Sequence, residues 1–273
     1  MTKKPLMQSI YTTDELTDLK KNLQNQFSKY PQLSPSVFVW DTTNGKYVDI
    51  KGDKIYPAAS VIKIPVLISL FKTIESGKFS KNDTMQLTEY YRSPGSGSLQ
   101  YSAQGTELSI DNLARLMITE SDNSSTNMLM SQIGSMTSVN DDIRKWGLKN
   151  TRINTWLPDL NGTNYTTTKD LTTMLYNLDN ESFLSLDSRA DIFDYMGHVK
   201  NNKLLAAGIP SNASIAHKTG DIGSMLGDAG IIYSPNGRKY IVAILVKRPH
   251  NDYSAKELIV NASKTIYNYM TNY

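Results

Sequence analysis

Leu16, Leu19, Leu23 and Phe27 recur at three- and four-residue spacing among polar residues, which predicts an amphipathic helix over 13–29 with Thr13 or Asp14 as its cap. The pattern then changes period. Val37, Phe38, Val39 and Trp40 lead through Asn44-Gly45 to Tyr47, Val48 and Ile50, a β-hairpin whose Asn-Gly tolerates the positive φ of its turn. Near the other end, Ile231, Ile232 and Tyr233 run into Ser234-Pro235-Asn236-Gly237 and out through Tyr240 to Val246, a second hairpin. The chain closes on a helix carrying Leu258, Ile259, Ala262, Ile266, Tyr269 and Met270.

Between Ser60 and about Pro210 the spacing is helical: 111–119, 125–134, 139–146 with Thr137 or Ser138 as cap, 168–178 and 190–196. No hairpin signal interrupts these segments, and no internal repeat or low-complexity linker is present. The economical arrangement is an α/β unit built from 1–59 and 211–273, an all-helical unit over 60–210 inserted into it, and a cleft where they meet.

Composition narrows the chemistry. The chain has 273 residues, 39% of them hydrophobic and 20% charged, and a net charge of +3, which excludes a disordered chain and gives no electrostatic footprint for nucleic acid. Its apolar runs fall short of the ~18 residues that span a bilayer. The start, with Lys3, Lys4 and Pro5 before a polar stretch, lacks the apolar core of a signal peptide. Cysteine is absent, and His198, His217 and His250 form no ligand pattern, so no metal or other cofactor is expected. Any hydrolytic chemistry must come from hydroxyls and lysines.

Ser60-Val61-Ile62-Lys63 opens an apolar helix, and its i, i+3 spacing sets hydroxyl and amine about 60° apart on one face. A lysine whose pKa burial has lowered can take the serine's proton. Ser69-Leu70-Phe71-Lys72 repeats the pattern and reads better as a turn of core helix with its lysine reaching solvent. Two further triplets, Ser121-Asp122-Asn123 and Lys218-Thr219-Gly220, each occur once, whereas chance supplies about 0.1 or fewer of each.

With these motifs in this order, 61 and 97 residues apart, the sequence resembles the active-serine penicillin-recognising family, and within it the class A β-lactamases. The resemblance spans about Pro35 to Tyr273. It implies an α/β (α+β) fold of the β-lactamase/transpeptidase type: a five-stranded antiparallel sheet flanked by N- and C-terminal helices, with an inserted helical domain.

It further implies Ser60 as nucleophile, Lys63 as its proton acceptor, and Ser121 as the shuttle that passes the proton to the leaving nitrogen. Lys218 would hold Ser121 electrostatically. Asn123, Thr219, Gly220, Asp221 and Asn161 would bind substrate, with the backbone N–H groups of Ser60 and Asp221 as oxyanion hole. The substrate would be a small molecule, a β-lactam or a peptidoglycan stem peptide, acted on by a monomer outside the cytoplasm whose leader lies upstream of Met1.

The resemblance breaks at one position. The family's Trp-Glu-Pro-Glu-Leu-Asn segment, whose first glutamate activates the deacylating water, is matched by Trp156-Leu157-Pro158-Asp159-Leu160-Asn161. Leu157 takes the glutamate's place, and losing a general base costs ~10² to 10⁴ in rate, so the resemblance implies acylation with slow release. Asp159 is the nearest carboxylate. The alternatives are a D-Ala-D-Ala carboxypeptidase (a penicillin-binding protein) and a penicillin-binding sensor module. Gly227 stands where many members carry a carboxylate-gripping arginine, for which His217 and Lys203 are the substitutes to test; Pro94 to Leu99, Tyr90, Tyr91, Tyr101 and Trp156 are candidates for the cleft edge.

Overall fold

The structure is a computed structural model that describes residues 7–272, so the polar start at residues 3–5 lies outside the described residues. In chain order the elements are α1 (Thr17–Phe27), β1 (Ser34–Asp41), β2 (Tyr47–Ile50), β3 (Tyr56–Pro57), α2 (Lys63–Glu75), β4 (Thr84–Gln86), β5 (Glu107–Ser109), α3 (Ile110–Thr119), α4 (Asn123–Ile133) and α5 (Met136–Lys145). They continue with β6 (Tyr165–Thr166), α6 (Thr168–Leu178), α7 (Leu186–Gly197), β7 (Ser214–Ile222), β8 (Met225–Tyr233), β9 (Lys239–Lys247) and α8 (Ser254–Asn272).

Five strands form one antiparallel sheet in the order β2-β1-β9-β8-β7. The run Val37–Trp40 is continuously apolar because β1 is covered on both faces. Val37 and Val39 face α1 and α8, while Phe38 and Trp40 face α2 and the other helices. The sheet is thus a wall shared by two cores. Gly45 and Gly237 take φ values of 75° and 83° in the two hairpin turns, the conformation for which glycine was placed there.

α2 is apolar all round and buried from Lys63 to Phe71, so it runs through the middle of the helical layer rather than over its surface. Its second Ser-x-x-Lys pair is structural: Ser69 Oγ donates to Asp142 and Lys72 Nζ to Glu75 and the Phe183 carbonyl.

Several local expectations are corrected. α1 starts at Thr17 with Leu16 at its cap position and no side-chain cap, because Thr13 and Leu16 use their N–H groups to bond the Gly45 and Tyr47 carbonyls across the hairpin. α5 is capped by Ser135, not Thr137 or Ser138, whose N–H groups it accepts. Two small ladders, β3·β6 and β4·β5, interrupt the stretch read as purely helical; strands of two and three residues leave no periodic signal to read. Among the described residues no helix is long and apolar enough to cross a membrane.

Candidate active site

Ser60 does not sit in the first turn of α2 but in a tight 3₁₀ turn, Ala59–Ile62, that leads into it. Side chains at i and i+3 eclipse in that geometry instead of lying 60° apart, and Lys63 Nζ comes to 3.2 Å from Ser60 Oγ. Ala59, immediately before Ser60, holds φ at 44°, and Ser121 holds 58°; for residues with a Cβ these are costly conformations of the kind that surrounding structure must enforce.

The enforcing contacts are close. A Cβ on Gly220 would stand 3.0 Å from both Ser60 N and Val61 N, so the free edge of β7 passes the Ser60 backbone at a distance only glycine allows. A Cβ on Gly97 would stand 2.3 Å from Asp122 Cα, so the loop Pro94 to Leu99 locks onto the Ser121-Asp122-Asn123 turn. Asp122 itself is a cap: its carboxylate accepts the N–H groups of Ser125, at the start of α4, and of Leu99. Asp122 thus serves the helix while its two neighbours, Ser121 and Asn123, line the site.

Lys63 is fully buried, and Nζ lies 2.5 Å from the Ser121 carbonyl, 3.0 Å from Ser121 Oγ and 3.0 Å from Asn123 Oδ1. With Ser60 Oγ that makes four neighbours, one more than an ammonium has protons. In the neutral amine the two N–H groups go to the carbonyl oxygens of Ser121 and Asn123, which can only accept, and the lone pair is left for a hydroxyl proton of Ser60 or Ser121. Electrostatics agree, since burial, and then the nearby Lys218 charge, pulls the Lys63 pKa well below its ordinary value against a weaker opposing pull from Asp122.

Lys218 Nζ donates to Ser121 Oγ at 3.0 Å and to the Thr219 carbonyl at 2.9 Å. Burial lowers its pKa to about 7, opposed by the Asp228 carboxylate on the neighbouring strand β8. The four residues expected to carry the chemistry thus form one chain of contacts, Ser60 to Lys63 to Ser121 to Lys218, that can pass a proton from nucleophile to leaving group. With Lys63 acting as a neutral proton acceptor and Lys218 as a charged holder, the roles the family resemblance implies, the rate of acylation should rise with pH as Lys63 loses its proton and fall through about 7 as Lys218 loses its own. Stopped-flow acylation between pH 5 and 9, flanks assigned to the pair rather than to one residue, checks this; a rate still climbing at the alkaline end would contradict the role given to Lys218.

Around this chain lies a cleft of about 720 Å³, lined by Ser60, Ser121, Asn123, Lys218, Thr219 and Asp221 among others, with Gly95 to Ser98 along one edge. The family model described as "Beta-lactamase enzyme family" matches residues 18–270. The chain belongs to the β-lactamase enzyme family. The solved structure of PBP-A is 37% identical, covers 97% of this chain and all of its own, and superposes with a TM-score of 0.94. A Leu-to-Glu mutant of PBP-A, solved as an acyl-enzyme complex with penicillin G, is 36% identical, with 98% and 100% coverage and a TM-score of 0.92. The β-lactamase of Bacillus licheniformis is 28% identical over 265 residues, 90% of this chain and 83% of its own.

Set against this family's pattern, the other expected residues divide. Asn123 lines the cleft, with its amide already engaged by Lys63 and by the Pro94 carbonyl. Gly220 supports Ser60 from behind and is absent from the cleft lining. Asn161 is exposed and is not among the residues lining the cleft; beside it Gly162 holds φ at 68° against Pro57. Neither proposed substitute for the missing arginine reaches the cleft. His217 is buried with Nδ1 against Asp228, and Lys203 is exposed elsewhere. Of the aromatics only Tyr101 lines the site, 83% exposed at its rim.

Leu157 does line the cleft. Its N–H donates to Asn127 Oδ1, and its carbonyl accepts from Asn127 Nδ2 and from Ser93 Oγ, so its backbone is pinned to α4 and to the glycine-serine loop. Asp159 is committed to the loop: one oxygen accepts the Thr163 N–H and hydroxyl, the other the Asn164 N–H. Asn164 in turn bonds Asn154 and Thr155, closing the base of the loop with side-chain amide hydrogen bonds. Asn127, Asn164 and Asp228 were not singled out from the sequence, since a buried side-chain amide or carboxylate bonded to backbone carries no local pattern.

Proposed function

We propose that the protein is acylated at Ser60 by β-lactams and by amides or esters of the D-Ala-D-Ala type, and that it releases the acyl group slowly. Ser60 Oγ attacks the carbonyl carbon, its proton passes through Lys63 and Ser121 to the departing nitrogen, and the backbone N–H groups of Ser60 and Asp221 receive the oxyanion. The observation that carries the slow second step is Leu157. The cleft wall beside Ser60 offers a hydrocarbon at that point, and the neighbouring Asp159 has its acceptor capacity turned into its own loop. A water there has no base to activate it. The acyl-enzyme of the PBP-A Leu-to-Glu mutant with penicillin G supports the acylation step, as a relative of similar fold that forms a penicillin adduct.

Slow release suits a carboxypeptidase inhibited by penicillin better than a resistance enzyme, and chemistry on wall peptides places the protein outside the cytoplasm. Intact-mass spectrometry with penicillin G, followed over hours, tests the core of the proposal. Wild type should gain one penicillin mass that persists, and Ser60→Ala should gain none. Rapid loss of the adduct with accumulating penicilloate would refute slow release, and an adduct in Ser60→Ala would refute the nucleophile.

A further inference from the structure

A penicillin and a D-Ala-D-Ala amide both carry a carboxylate one carbon from the nitrogen that departs. Ser121 Oγ delivers the proton to that nitrogen, so the carboxylate comes to rest beside the Ser121 turn. Gly227, opposite Gly220 on β8, offers no side chain to receive it. Among the described residues the charged side chains lining the cleft are Glu120, Asp159, Lys200, Lys218 and Asp221. Lys218 is fully buried and directs its N–H groups to Ser121 Oγ and the Thr219 carbonyl. The Arg248 guanidinium, 5% exposed, is closed onto Asp221 and the Ile222 carbonyl. The exposed cation of the cleft is Lys200.

Lys200 is tied to the Ser121 turn at both its ends. Its main-chain N–H donates to the Thr119 carbonyl at 2.9 Å, and its Nζ stands 2.6 Å from Glu120 Oε1, the carboxylate immediately before Ser121. Glu120 is fixed in turn, because its other oxygen accepts the N–H and the hydroxyl of Ser98 in the glycine-serine loop. The Lys200 ammonium, and then the Ser98 hydroxyl, hold the Glu120 carboxyl below its ordinary range, so the pair is ionised at neutral pH. The pairing orients Lys200 without exhausting it. An ammonium has three protons, Glu120 takes one, and the Lys200 side chain is 70% exposed, so the others are open to an incoming acceptor. Both Glu120 oxygens are already engaged, and a substrate carboxylate therefore meets the ammonium rather than a bare anion.

We infer that Lys200, oriented by Glu120, is the specificity determinant that binds the carboxylate borne next to the departing nitrogen, from the helical side of the cleft rather than from β8. The inference rests on the acyl-serine reading and deepens it. In the step itself the Ser60 Oγ–C bond forms, the C–N bond breaks and the nitrogen takes the proton from Ser121. Lys200 exchanges no proton; it forms a charge-assisted hydrogen bond to a group that does not react.

The test uses penicillin G and its methyl ester, which differ by one charge, with formation of the adduct timed by intact mass. Opposite charges about 4 Å apart, at an effective dielectric constant of about 60 for a solvent-open ammonium, attract by about tenfold in rate. Wild type should thus be acylated faster by the acid than by the ester. Lys200→Met should cut the acid-to-ester ratio about tenfold, slowing the acid and leaving the ester within about twofold. Lys200→Arg should keep most of the ratio, and Lys203→Met, exposed outside the cleft lining, all of it. Because Lys200→Met also strips Glu120 of its partner, the drop should persist when Glu120→Gln is added. A ratio that Glu120→Gln restores to the wild-type value would trace the drop to repulsion by the bared carboxylate and overturn the inference. So would equal slowing of both donors, an unmoved ratio, or a wild type that favours the ester, and each of these leaves acylation at Ser60 standing. Failure of both donors to label wild type at Ser60 would sink the acyl-serine reading and the inference with it.

Discussion

Leu157→Glu should raise turnover of penicillin G and nitrocefin by about 10² to 10⁴, with the adduct's lifetime falling by the same factor. The expectation follows from how that residue is held. Three hydrogen bonds to Asn127 and Ser93 fix the Leu157 backbone, so a glutamate there stands on a main chain already held at the wall of the cleft that contains Ser60. A carboxylate in this half-apolar wall is a stronger base than one in water, since burial raises its pKa. The same burial costs about 1–3 kcal/mol of stability, visible as a Tm lower by a few degrees. Steady-state nitrocefin hydrolysis beside adduct decay by mass spectrometry decides it. A folded variant whose adduct lasts as long as the parent's would mean that something other than the missing base limits release.

Lys63→Met should act on the opposite half-reaction, slowing acylation by about 10² to 10⁴ without shortening the life of whatever adduct forms. Methionine keeps the length and apolar volume of the stem, and the position is fully buried, so the loss is that of the amine and not of packing. Lys72→Met, at the second Ser-x-x-Lys pair, is the matched control: that lysine bonds Glu75 and the Phe183 carbonyl, and its loss should change acylation by less than about twofold. Stopped-flow acylation of both variants, with thermal melting as a folding check, separates the two pairs. Equal effects would remove the case for Lys63 as proton acceptor.

Those two lysines show what the sequence could and could not disclose. Ser60 and Ser69 head the same motif on one apolar helix, and periodicity treats them alike; Ser121-Asp122-Asn123 and Lys218-Thr219-Gly220 broke the tie, because they demand partners that only one of the two can have. The central hairpins and the terminal helices were legible for the usual reason, a burial pattern repeating at 2 or 3.6 residues. β7 was not recognised as a full nine-residue strand, since His217-Lys218-Thr219-Gly220-Asp221 spends its positions on polar chemistry and on a glycine needed against Ser60.

Caps were misplaced where a tertiary bond takes the side chain, as at Thr13, whose hydroxyl donates to the Asn44 carbonyl. The backbone of Ala59 and Ser121 was beyond reach altogether. A left-handed φ at a residue with a side chain contradicts local preference and exists because Gly220 and Gly97 hold the surrounding turns from outside.

The pressing of Gly220 against the Ser60 backbone joins positions 160 residues apart, and β1 finds its inner partner only in β9, with Ser34 opposite Lys247. A chain emerging in order of synthesis therefore exposes its Ser60 hydroxyl and Lys63 amine long before it owns a reactive centre. Until the last strands arrive, the hydroxyl has no supporting turn and the amine remains an ordinary hydrated ammonium. On the acyl-serine reading, reactivity towards a penicillin dates the completion of the fold rather than the appearance of the Ser60 hydroxyl, and an immature or half-opened chain is chemically silent.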